Sequence, residues 1–123
     1  MKALKFLFAA TAAALTTPTT AQVRPPLPET SRGDLQCFII YSSVLGTTKD
    51  EKIRSAATNG FIYFLGKLDG GAKGIDMFEE VKGEALKMQK VEFDKVASSC
   101  DLQLNKRGQE VQAIGAALAK AGI

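Results

Sequence analysis

The 123-residue chain contains no histidine and no tryptophan. Without histidine, Ser-His-Asp and Cys-His catalytic arrangements are excluded, and so is the side chain that most often binds metals or titrates near pH 7. The G-x-S-x-G, H-E-x-x-H and Walker A motifs are absent as well. We therefore expect no catalytic residue, no metal site and no cofactor, and we expect that the protein is not an enzyme.

A strong charge of one sign is also lacking. The chain carries 16 Lys+Arg and 13 Asp+Glu, and two of the cations, Lys2 and Lys5, belong to the N-terminal segment. The remaining cations form no basic block, whereas proteins that bind nucleic acid concentrate Lys and Arg on one surface. We therefore expect no nucleic-acid partner.

The first 21 residues have the organisation of a secretory signal peptide. Two early lysines precede an apolar stretch that runs to Leu15, and Thr19-Thr20-Ala21 supplies small residues for signal peptidase. Cleavage is expected between Ala21 and Gln22. No later segment has the roughly 18 apolar residues of a membrane span, so no stable membrane insertion is expected after cleavage. The expected location is periplasmic or secreted.

The only two cysteines, Cys37 and Cys100, are expected to form a disulfide, because an even pair in an oxidising compartment is normally bonded. A disulfide that closes a loop of this length would stabilise the fold by roughly 4 kcal/mol on the chain-entropy model. Three other interpretations fit less well. Cys37 lies too far from the cleavage site for a lipoprotein anchor, no further metal ligands lie nearby, and the spacing is not C-x-x-C.

The chain divides into three parts: a signal peptide over residues 1–21, an extended Pro-rich segment over residues 22–33, and a helical domain over residues 34–123. Pro25, Pro26 and Pro28 dominate the second part, which has no apolar periodicity. Ser31 or Asp34 is expected to cap the first helix.

Apolar spacing predicts an all-α domain, a small bundle of about four helices closed by one disulfide. The first helix ends at Gly46, and the second begins at a capping box over residues 48–51, Thr-Lys-Asp-Glu. Its buried stripe is expected to contain five residues: Ile53, Ala57, Phe61, Phe64 and Leu68. Gly60 and Gly66, in the same helix, suggest that another helix approaches closely. The second helix ends at Asp69-Gly70-Gly71.

Asp76 is expected to cap the third helix. Its buried positions are expected to be Met77, Val81, Ala85 and Met88. No proline occurs from residue 76 to 121, so one very long helix is conceivable. We expect a turn between Val96 and Lys106 instead, because Ser98, Ser99 and Asn105 weaken a helix there.

The last helix is rich in glycine and alanine, and its apolar residues are Leu104, Val111, Ile114 and Leu118. Packing inside the domain is the favoured interpretation of this face. A homodimer through the last helix and adsorption to a membrane surface are the alternatives.

The helix-opening sequence Asp34-Leu-Gln-Cys37-Phe-Ile, the stretch from Tyr63 to Gly70 and the late Cys100 resemble those of small exported disulfide-linked helical proteins of Gram-negative bacteria, mostly uncharacterised. More distantly, the chain resembles the HdeA-like acid-stress chaperones and the Rap1a/Tai-type immunity proteins. These resemblances imply a non-enzymatic periplasmic protein. We therefore expect a helical protein-binding or stress-protective module with a protein as its partner. The alternative is an immunity-like protein that neutralises a secreted toxin.

Overall fold

The computed structural model describes residues 25–88 and 90–123, which form four α-helices and, within those ranges, no strand. Helix α1 spans Glu29–Thr47, α2 spans Glu51–Gly71, α3 spans Met77–Lys87 and α4 spans Lys90–Lys120. The expected all-α bundle of about four helices closed by one disulfide is therefore confirmed.

Helix α1 begins earlier than expected. Pro28 precedes its first turn and supplies the carbonyl that accepts from the Ser31 amide at 2.9 Å. Glu29 to Gly33 are thus helical, although the sequence predicted an extended segment over residues 22–33 and a cap at Ser31 or Asp34. Proline is well placed just before a helix because its fixed φ suits the first turn. Ser31 is instead buried within α1.

Aspartates cap the next two helices. The Asp50 carboxylate accepts from the amides of Lys52 and Ile53, so Asp50 rather than the predicted Thr48 is the N-cap of α2. The Thr48 hydroxyl accepts from the Asp50 amide at 3.2 Å. Asp76 caps α3 as predicted, through the amides of its second and third helical residues.

Helix α1 lies at the centre and packs against each of the other three helices. One core cluster joins it to α2 and α4 through the buried residues Cys37, Ile40, Tyr41, Ala57, Phe64 and Cys100. A second cluster lies towards its N-terminal end and contains Leu27, Leu35, Ile39, Leu68 and Ala72. Leu27 therefore fixes the end of the Pro-rich segment to the bundle.

Three further expectations about the helices are wrong. The turn predicted between Val96 and Lys106 is absent, because α4 is continuous there and α3 ends at Lys87 instead. Ile53 is 51% exposed rather than part of the core. Ala85 is also exposed, and Glu84 takes the buried position on α3.

Candidate functional site

The disulfide joins the centre of α1 to the first half of α4. The Sγ atoms of Cys37 and Cys100 are 2.03 Å apart, their Cα atoms are 5.5 Å apart, and both residues are buried. The predicted pairing is thus confirmed. The predicted cleavage residues, Ala21 and Gln22, lie outside the described residues.

Tyr41 forms a second connection one turn further along α1. Its hydroxyl donates to the Asp101 carboxylate on α4 at 2.6 Å. Burial, and then this bond to Asp101, raises the pKa of the Tyr41 hydroxyl. The ring stacks on Phe64 of α2 with centroids 5.8 Å apart and lies directly over Gly60. Tyr41 therefore ties three helices together beside the disulfide.

Lys67 holds α2 against α1 by an ion pair with Asp34. Its ammonium group also lies 5.5 Å from the centre of the Phe64 ring and 3.5 Å from the side-chain oxygen of Gln103 on α4. An ammonium group over an aromatic face is attracted by the ring quadrupole. Lys67 thus links α2 to both α1 and α4.

Helix α3 is attached to α1 through a buried carboxylate that the sequence analysis missed. Glu84 is only 6% exposed; one of its oxygens accepts from Arg32 at 2.8 Å and the other accepts from Gln36 at 2.8 Å. Arg32 also pairs with Glu29. Because both carboxylate oxygens of Glu84 are engaged, this cluster is suited to holding helices together rather than to acid–base chemistry.

Arg107 marks the place where α4 leaves the bundle. Its guanidinium donates to the Glu110 carboxylate and lies near Tyr63 of α2, and Tyr63 and then Glu110 raise the pKa of the guanidinium. Lys67 lies four residues after Tyr63 on α2, and its partner Gln103 lies four residues before Arg107 on α4. The two helices therefore run antiparallel. Beyond Arg107, the helices separate.

The remaining length of α4, residues 108–120, is here called the α4 arm. Every residue of the arm is exposed except Glu110, which is partly buried. Val111 and Ile114 are each 59% exposed and Leu118 is 44% exposed. Residues spaced by three and four lie on one side of a helix, so these three form one apolar face. The internal packing favoured by the sequence analysis is therefore wrong for this part of α4.

A groove of about 750 Å³ opens where the arm diverges from α2. Ala56 and Asn59 of α2 line one wall, and Leu104, Gly108 and Val111 of α4 are among the residues that line the other. The apolar face of the α4 arm thus borders a groove wide enough to receive a further segment of protein. We take the face and the groove together as the candidate binding site.

Nowhere in the described part of the chain do three His, Cys, Asp or Glu side chains meet in an arrangement that could hold a metal ion. None of the helices described there is both long and apolar enough to cross a membrane. Comparison with family models, with curated proteins and with solved structures finds no match for this chain.

Proposed function

We propose that this protein is an exported, non-enzymatic helical module that binds other proteins through the α4 arm. The observation that carries the proposal is the apolar face of Val111, Ile114 and Leu118, which no other helix of the described chain covers. Leaving apolar surface in water costs about 25 cal/mol per Å² relative to burying it. Contiguous patches of exposed apolar surface commonly mark interaction sites.

The charges near the face favour a protein partner over a nucleic acid or a membrane. Between residues 108 and 119 the only charged side chain is Glu110, and it is paired with Arg107. Nucleic acids and anionic membranes select surfaces rich in Lys and Arg. A nearly neutral apolar helix face fits instead into an apolar groove or against another helix.

The base of the arm is rigidly held, which suits a binding element. The disulfide and the Tyr41–Asp101 bond fix α4 on α1 at residues 100 and 101, less than two turns before Arg107, where the arm begins. A surface that is already ordered loses less conformational entropy on binding than a flexible one. The disulfide also fits the proposed periplasmic or secreted location, since such bonds persist in oxidising compartments.

The test compares two charge-matched variants in an assay for suppressing aggregation of a chemically denatured model client. V111D/I114D places two carboxylates on the apolar face, whereas A113D/A116D places them roughly opposite, at the same depth in the arm. We expect the first variant to lose most of its protection and the second to keep it. Protection unaffected by either variant would place binding elsewhere. No protection by any form, with capture of a single specific partner through the same face, would favour the immunity-like alternative.

A further inference from the structure

The apolar face of the α4 arm continues a face that is already in use inside the bundle. Its positions alternate in steps of three and four: Ala97, Cys100, Leu104, Arg107, Val111, Ile114, Leu118 and Ala121. Ala97, Cys100 and Leu104 pack in the core cluster shared with α1, whereas the later members are exposed. This seven-residue repeat is the pattern of a helix that pairs along its whole length. Helix α1 covers only its first half.

We propose that a second copy of this chain covers the other half, with the two α4 arms packed antiparallel about a twofold axis near residues 112 and 113. This rests on the proposed function and names a partner for the same surface. In this register Val111 of each copy lies beside Ile114 of the other at the centre. Leu118 then covers the aliphatic stem of Arg107, and Ala121 faces Leu104.

The residues that flank the seam are compatible with a second copy of the same sequence. On one side the antiparallel register brings Gly108 near Gly115 of the other copy, so the helices can approach closely. On the other side it brings Glu110 near Ala117 of the other copy. No like charges meet across the seam, and Glu110 already has Arg107 as its ion-pair partner within its own chain. A twofold interface requires this kind of self-complementarity.

The groove beside the arm also agrees with this arrangement. It is lined by Leu104, Gly108 and Val111, which belong to the seam or flank it, and by Ala56 on α2. The last two turns of the other copy's arm would lie there and contact both helices. The seam from residue 104 to 121 is roughly 27 Å long. A single pair of helices of this length makes a small interface, so we expect a dissociation constant of about 1–100 μM.

Sedimentation equilibrium of the exported chain with its disulfide intact tests the proposal. The wild type and A113D/A116D should form dimers in the micromolar range, whereas V111D/I114D should weaken association at least 30-fold. Because these substitutions lie on an exposed part of the helix, circular dichroism should show both variants folded. A wild type that stays monomeric at 1 mM, or a dimer insensitive to V111D/I114D, would overturn the proposal.

The orientation has its own test. Mixed E110C and A117C chains should form an interchain disulfide faster than either chain alone, because the antiparallel register brings these two positions together. Faster linking within a single variant would overturn the register. A monomer that still protects clients through the face would refute self-association and leave the proposed function standing. A dimer that protects no client would support self-association and refute the proposed function.

Discussion

At the scale of single residues, the closest approach of two helices depends on Gly60. A Cβ atom at this position would lie 2.6 Å from three ring atoms of the buried Tyr41. Gly66, six residues along the same helix, has nothing within 4 Å of an added Cβ. The sequence suggested a close approach from both glycines, and the structure confirms it at Gly60 alone.

These two glycines form a matched pair for a stability measurement. Alanine gains about 1 kcal/mol over glycine in a helix interior, but overpacking a core costs about 1–3 kcal/mol. Gly60→Ala should therefore lower the free energy of unfolding by up to about 2 kcal/mol, because the 2.6 Å approach demands a large shift of the ring, and Gly66→Ala should raise it by about 0.5–1 kcal/mol. Chemical denaturation of both variants measures the difference. If the two substitutions had the same sign, the packing of Tyr41 on Gly60 would be refuted.

Tyr41 should make the free energy of unfolding depend on pH in alkaline solution. In an unfolded chain tyrosine loses its proton near pH 10, whereas burial and the bond to Asp101 raise the pKa of Tyr41 in the folded chain. The folded state then binds more protons above about pH 10, so the free energy of unfolding falls as pH rises through that range.

Tyr41→Phe provides the control, because it keeps the ring and removes the titrating hydroxyl. It should cost about 1 kcal/mol at pH 7 through the lost hydrogen bond. Between pH 9.5 and 11 it should lose stability less steeply than the wild type, while the lysines affect both proteins alike. Unfolding curves measured across this range decide the matter, and parallel pH profiles would count against the proposed role of Tyr41.

Glu84 shows what the sequence could have revealed at this scale. Met77, Val81 and Met88 were predicted to lie on one face, and position 84 belongs to the same helical spacing. The prediction followed the apolar residues alone and therefore named Ala85, since a charged residue is rarely buried without a partner. The partners, Arg32 and Gln36, lie about 50 residues earlier on α1. Only the three-dimensional fold brings them together.

At the scale of helices, the lengths of α3 and α4 could not be read from local propensity. Serines near residue 98 disfavour a helix only weakly, and packing routinely overrides such preferences. Here Phe93, Val96 and Leu104 pack against the core cluster around the disulfide, which holds this stretch helical. The Ser98 hydroxyl is accommodated by donating to the Asp94 carbonyl within the helix. The cap at Asp76 is predicted correctly because it rests on local hydrogen bonds, and residues 48–51 correctly mark the start of α2 although Asp50 rather than Thr48 is its cap.

The disulfide is the main link between α4 and the rest of the bundle. Its removal should measurably lower the stability of the fold. Closing its loop stabilises the fold by roughly 4 kcal/mol on the chain-entropy model. Cys37→Ala with Cys100→Ala should lower the free energy of unfolding by at least that amount and the melting temperature by more than about 10 °C. Guanidinium and thermal unfolding provide both values. A loss below about 1 kcal/mol would mean that other contacts hold α4 in place.

At the scale of the whole molecule, the free arm could not be predicted from the sequence. The apolar repeat of α4 is the same before and after Arg107, so the pattern does not reveal which half lies against α1. The point at which α4 becomes uncovered depends on the lengths of α1 and α2. Helix α1 ends at residue 47, and α2 begins at residue 51. The sequence predicted an apolar face correctly, but only the arrangement of the helices shows that it is uncovered.

Acid should loosen the whole molecule without separating α1 from α4. Carboxylates protonate near pH 4 in general, which would leave the lysines and arginines uncompensated. Protonation would also break the Glu84–Arg32 and Asp34–Lys67 pairs that hold α3 and α2 to α1.

We expect binding of a dye for apolar surface, and increased protection of clients, at pH 2–3. With no histidine in the chain, no change is expected between pH 7 and 5. A chain that binds no dye at pH 2 would contradict this prediction.

The most direct test of the α4 arm as a protein-binding surface is photo-cross-linking in a Gram-negative host. A photoreactive amino acid would be placed at Ile114, on the apolar face, or at Ala116, on the opposite side of the same turn. The account predicts protein adducts from position 114 and few or none from position 116, and the adduct mass distinguishes a second copy from another partner. Equal adducts from both positions, or none from position 114, would contradict it.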